Sequence, residues 1–133
     1  MPRLFATPCA IVVLALASGA CSRQDARLEQ HRKKFESLGA TTAAIGEAWL
    51  SGSVSGTYTV TALEQTFLLV EKERTTLASA PEALLDPRGA HLSQAAERLS
   101  RLLAAVIGDV QSADAEAVRR RLAEIPIRPQ HQP

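Results

Sequence analysis

The sequence predicts an all-α protein, an antiparallel bundle of three or four helices. Apolar residues recur every three or four positions over stretches of comparable length, and turn-forming residues cluster between those stretches. Comparable helices joined by short connectors favour antiparallel neighbours. The chain has 133 residues, 46% hydrophobic and 22% charged, enough to bury one core without disulfides. Internal repeats of solenoid period are absent from the sequence. With 15 Lys+Arg against 14 Asp+Glu, the chain lacks the basic excess that draws proteins to nucleic acid. Neither nucleic acid nor a cofactor is expected as a partner.

Residues 1–20 differ from everything after them. Met1-Pro-Arg3 supplies one positive charge, Cys9-Ala-Ile-Val-Val-Leu-Ala-Leu-Ala17 is an unbroken apolar run, and Ser18-Gly-Ala20 is a small-residue exit before Cys21. A charged start, a short apolar core and a small-residue exit are the marks of a secretory signal peptide. Read instead as a retained anchor, the apolar stretch from Leu4 to Ala20 is interrupted by Pro8 and falls short of the roughly 20 residues a spanning helix needs.

Ala17-Ser18-Gly19-Ala20-Cys21 resembles the lipobox of bacterial lipoproteins. The resemblance implies cleavage between Ala20 and Cys21, a diacylglycerol on the Cys21 sulfur and acylation of the new amino group. Only a cysteine thiolate is nucleophilic enough to form that thioether. Ser18 stands where such motifs most often have Leu, and Ser18-Gly-Ala20 also suits a general signal peptidase. Two or more acyl chains give stable membrane attachment, where one is marginal. By the same resemblance, in a Gram-negative cell Ser22 after the cysteine, rather than Asp, implies the periplasmic face of the outer membrane. Cleavage also removes Arg3 and brings basic and acidic side chains to equal number.

Residues 21–24 then form the lipidated cysteine and a short tether, and residues 25–125 the helical domain. The first helix ends near Leu50, with an a/d seam of Leu28, His31, Phe35, Leu38, Thr42, Ile45 and Trp49. Gly39, Ala43 and Gly46 form a small-residue stripe beside that seam. Each glycine costs about 1 kcal/mol relative to Ala in a helix, so the stripe predicts either a bend or an unusually close neighbour. Ser51–Thr57 is a turn-rich linker.

A second helix is expected from Thr59 to Ser79, with Leu63, Phe67, Val70 and Leu77 on its buried face and Leu68 and Leu69 widening it. Residues 80–87 form a connector with room for one helical turn, and Asp86-Pro87 reads as an N-cap and first helical position. Leu92, Ala95, Ala96, Leu99, Leu102, Leu103, Val106 and Val110 give the strongest stripe in the chain. Its pattern loosens over Gly108–Ser112. A short last helix carrying Ala115, Val118, Leu122 and Ile125 follows, unless one long helix continues to Glu124. Residues 126–133 are a Pro-rich extended tail.

Catalytic constellations are missing. The chain has no Cys-x-x-Cys-His for haem, no Glu-x-x-His for a di-iron site, no Gly-x-Ser-x-Gly elbow and no phosphate-binding glycine loop. The expectation is a protein that is not an enzyme and binds no metal. Of the histidines, only His31 occupies a seam position. Glu47 and Glu64 are the acids nearest the expected core faces, Arg119-Arg-Arg121 reads as a solvated face, and Thr41-Thr42 and Thr75-Thr76 should bond back to helix carbonyls. The functional expectation is a lipid-anchored envelope protein acting by protein contact. Its candidate contacts are Gly39, Ala43, Gly46, Trp49, Tyr58 and His31. The alternative is a haem-, metal- or small-ligand carrier with a pocket of His31, Phe35, Trp49 and Phe67.

Overall fold

The structure is a computed structural model and describes residues 9–126. Met1–Pro8 and the tail beyond Pro126 lie outside the described residues. Five helices pack together: α1 (Cys9–Leu50), α2 (Gly56–Ala78), α3 (Pro81–Leu85), α4 (Pro87–Gln111) and α5 (Ala115–Ala123). The described residues include no strand.

Each boundary has a local cause. At the end of α1 the Ser53 N–H donates to the Ala48 carbonyl at 2.9 Å and the Gly52 N–H to the Trp49 carbonyl at 3.0 Å. That pair of bonds requires a left-handed residue, and Gly52 supplies it with φ +75°. The Ser55 hydroxyl caps α2 by accepting from the Tyr58 N–H at 3.2 Å. α2 therefore starts at Gly56 rather than at the expected Thr59. Asp86 caps α4, accepting from the Arg88 N–H at 2.9 Å, with Pro87 in the first turn.

Residues 87–124 form two helices, not one. The Asp114 N–H reaches the Asp109 carbonyl at 2.9 Å and the Ala113 N–H the Val110 carbonyl at 3.0 Å. Here the left-handed position falls on Ala113, with φ +56°. Gly108 stays inside α4. Asp114 then caps α5 by accepting from the Ala117 N–H at 3.0 Å.

The core is built from Leu28 and Phe35 of α1, Leu63, Val70 and Leu77 of α2, Leu92, Ala96, Leu99, Leu102, Leu103, Val106 and Val110 of α4, Val118 and Leu122 of α5, and Ile125 just after it. The α4 stripe is as expected, with Ala95 half-buried at its edge. Each fully buried Leu, Val or Phe contributes about 1.5–3 kcal/mol, and α4 supplies more of them than any other helix. The expected threonine back-bonds are present: Thr41 to the Ser37 carbonyl, Thr42 to Leu38, Thr75 to Glu71 and Thr76 to Lys72.

Two expectations are corrected. Leu68 and Leu69 do not widen the buried face of α2; they are 66% and 54% exposed. The buried series is Thr59, Leu63, Thr66, Val70, Glu73 and Leu77, in steps of three and four. Polar residues on this seam hid its phase, and Phe67 is only partly buried beside it. On α1 the seam drifts from Leu38 and Ile45, which are half-buried, to Gly39 and Gly46, which are buried. A straight helix with 3.6 residues per turn slips in this way against a strict heptad.

α1 is continuous through the expected cleavage point, so no helix break marks the Ala20–Cys21 junction. Its first buried side chain among those described is Leu28. No helix of the described residues is long and apolar enough to cross a membrane.

Candidate functional site

His31 is the seam residue that the fold turns into a junction. It lies on α1 between Phe35 and Leu28, two core residues, and is itself buried. Its Nδ1 stands 2.6 Å from Oε1 of Glu73 on α2, and its Nε2 stands 3.2 Å from Oε1 of Glu82 on α3. The other oxygen of Glu73 accepts from Lys34 Nζ at 3.3 Å. One imidazole therefore ties three helices at the end of the protein where α2 passes into α3 and α4.

A neutral ring can donate from only one nitrogen. Both bonds form together when the ring carries both protons, or when one of the facing carboxyls carries one. Charge-assisted bonds of this kind are roughly twice as strong as neutral ones. Glu82 accepts a bond from its own backbone N–H, which holds its carboxyl below the usual range; burial opposes that shift, and the bond from His31 adds to it. Glu82 Oε2 is buried with no hydrogen-bond partner among the described residues. An oxygen so placed is costly unless water reaches it.

Near this junction, Glu71 on α2 accepts from the Ser100 hydroxyl on α4 and pairs with Arg74 at 2.7 Å. The Ser100 bond is the largest cause that lowers the Glu71 carboxyl from its ordinary value. α2 and α4 are thus joined by a polar clamp as well as by leucines.

The geometry does not suit a metal. Glu73 and Glu82 meet opposite ring nitrogens of His31, so the two carboxylates do not converge on one point. Among the described residues no group of three His, Cys, Asp or Glu side chains could hold an ion. A haem or metal carried on His31 would have to displace a carboxylate from one of its two nitrogens. The pocket expected from His31, Phe35, Trp49 and Phe67 does not assemble either, since His31 and Trp49 stand about 27 Å apart along α1 at 1.5 Å per residue.

No family model, curated protein or solved structure matches the chain. The fold and the site therefore stand on their own geometry.

The small-residue stripe is filled from within the chain. A Cβ placed on Gly46 would lie 2.7 Å from Leu122 Cδ1 and 2.9 Å from Cδ2. α5 is thus the close neighbour that the glycines predicted. Gly39 is buried and Ala43 packs at the core edge, so Gly46 at least is not an open contact for another protein. Trp49 packs partly buried against the core at the end of α1. Tyr58, just ahead of the expected helix start at Thr59, lies in the first turn of α2 and is 62% exposed.

Glu47 and Glu64 are exposed, and the buried acids are Glu73 and Glu82. Glu73 could have been found by extending the three–four steps of α2 from Val70 to Leu77. Glu82 carried no periodic signal, because it sits in a five-residue helix inside the connector. Arg119 and Arg120 are exposed, while Arg121 reaches back to Asp109 of α4 at 3.2 Å.

Proposed function

We propose that this is a lipid-anchored protein on the periplasmic face of a bacterial outer membrane, acting by contact with another envelope protein rather than by catalysis. The observation that carries the reading is the run of sequence from the apolar stretch Cys9–Ala17 through Ala17-Ser18-Gly19-Ala20-Cys21 to Ser22. Cleavage before Cys21 and acylation of its sulfur and amino group would hold the protein at the membrane without a spanning helix.

Within this reading the mature domain is an antiparallel bundle of α1, α2 and α4, with α5 as a short fourth member. The Glu71–Ser100 bond and the apposition of Gly56 and Val60 with Val110 support opposite directions for α2 and α4. The side of α2 away from the core offers Tyr58, Leu68 and Leu69 to a partner. Aromatic and large aliphatic residues on an exposed face are the usual centre of a protein contact.

The test is Cys21→Ser in the full chain, expressed in a lipoprotein-processing bacterium with labelled fatty acid. The label should be lost, and the protein should leave the membrane fraction. An uncut variant that keeps its place in the membrane would instead identify residues 4–20 as a retained anchor.

A further inference from the structure

α3 is a short helix held firmly from inside while two large apolar side chains are left outside. Its Glu82 is engaged by His31 of α1. Its Ala83 lies against the backbone of α4, so close that a Cβ on Gly89 would fall 2.4 Å from the Ala83 Cα and 2.5 Å from its carbonyl oxygen. Only glycine allows that approach. Leu84 and Leu85, on the free side, are each 73% exposed. A connector needing only to link α2 to α4 would more economically carry polar residues there.

The position of this turn in the molecule is informative. Arg88, in the first turn of α4, bonds Asp25 of α1 at 2.5 Å. Asp25 is four residues beyond Cys21, about 6 Å along a helix. The start of α4, the α3 turn and the exposed first turns of the domain part of α1 therefore share the end of the molecule nearest Cys21. Arg23 and Arg27 are exposed on those turns, and Arg27 is near enough to the Glu82 carboxyl to help hold it below its ordinary value. Two protruding leucines at an end that also carries exposed arginines match the apolar boundary and the anionic headgroups of a lipid surface, where amphipathic segments bury about 5–10 Å deep.

We propose that Leu84 and Leu85 insert into the bilayer to which Cys21 is attached, making α3 a second membrane contact. This rests on the acylated-Cys21 reading. Asp25 and His31, the α1 residues that meet Arg88 and Glu82, lie about 6 and 15 Å from Cys21 along the helix, so an inclined α1 brings α3 to the headgroup layer, and two points of attachment fix the tilt of the protein where one would leave it free to swivel. The opposite end, with Gly52 and Ala113, then points away from the membrane.

The experiment uses the full chain, processed in its lipoprotein-competent host and reconstituted in phosphatidylethanolamine–phosphatidylglycerol vesicles. Single Leu84→Cys, Leu85→Cys and Ser112→Cys variants carry an environment-sensitive fluorophore. Spin labels on the lipid acyl chains near the headgroup act as quenchers, and the mass of the Cys21 peptide is read on the same samples. With Cys21 acylated, quenching at positions 84 and 85 should exceed that at 112 by about threefold or more, as expected for a segment buried at the interface. Acylated protein with equal, weak quenching at all three positions would overturn the insertion and leave the anchor standing. A blue-shifted but unquenched fluorophore at 84 or 85 would show that protein, another copy included, covers the leucines, and would also overturn it. An unmodified Cys21 peptide would overturn the anchor and the insertion together.

Discussion

His31 does more for this fold than its single place on the α1 seam suggests, because it faces a buried carboxylate on each side. Removing it would leave Glu73 and Glu82 buried without their shared hydrogen-bond partner, and a buried polar group left unsatisfied costs about 1–3 kcal/mol. His31→Ala should lower the unfolding free energy by about 2–3 kcal/mol in urea titration, with Lys34 still on Glu73. The Glu82 carboxyl is held below its ordinary range, first by its own backbone N–H. The stability it contributes is therefore full above the unfolded-state value of about 4.3, and is lost as pH falls through the lower folded value. Urea midpoints should drop as pH falls below about 4.3, and Glu82→Gln should make that drop shallower. His31 was visible in the sequence as the one histidine on a seam. Its partners were not, since Glu73 shared a polar-interrupted seam and Glu82 had no period to reveal it.

At the scale of elements, two glycines act as spacers of different stiffness. Gly46 faces the mobile end of the Leu122 side chain, whereas Gly89 faces the backbone of Ala83. A side-chain tip can rotate away, but a backbone can move only by lifting α3. Gly89→Ala should therefore destabilise the protein by about 2 kcal/mol or more, while Gly46→Ala should cost less than about 1 kcal/mol, its overpacking partly offset by better helix propensity. Thermal denaturation of the two variants side by side checks the order; a Gly46 variant as damaged as the Gly89 variant would mean that α5 cannot yield. The glycine stripe was legible because helix-breaking residues in a strong helical pattern need a reason. The α4–α5 break was legible only as a loosened pattern, because its left-handed residue is Ala113 where a glycine would have announced it. On α2, Leu68 and Leu69 suggest burial by their residue type, whereas the helix turns Thr66 and Glu73 inward and leaves both leucines outside.

For the whole molecule, the sequence states the helical class clearly through the α4 stripe, and the five packed helices agree with it. The membrane reading comes from another layer of the sequence, residues 1–22 ahead of the domain, whose periodicity says nothing about the fold. The two layers meet at the α3 end, where Asp25 and Arg88 hold the domain within about one helical turn of Cys21. The mass of the N-terminal peptide from protein purified out of its own membrane decides whether the lipid anchor exists. The expected mature chain begins at Cys21, with diacylglycerol on sulfur and an acyl group on the new amine. A chain that keeps residues ahead of Cys21, or begins at Cys21 with a free thiol, would contradict it.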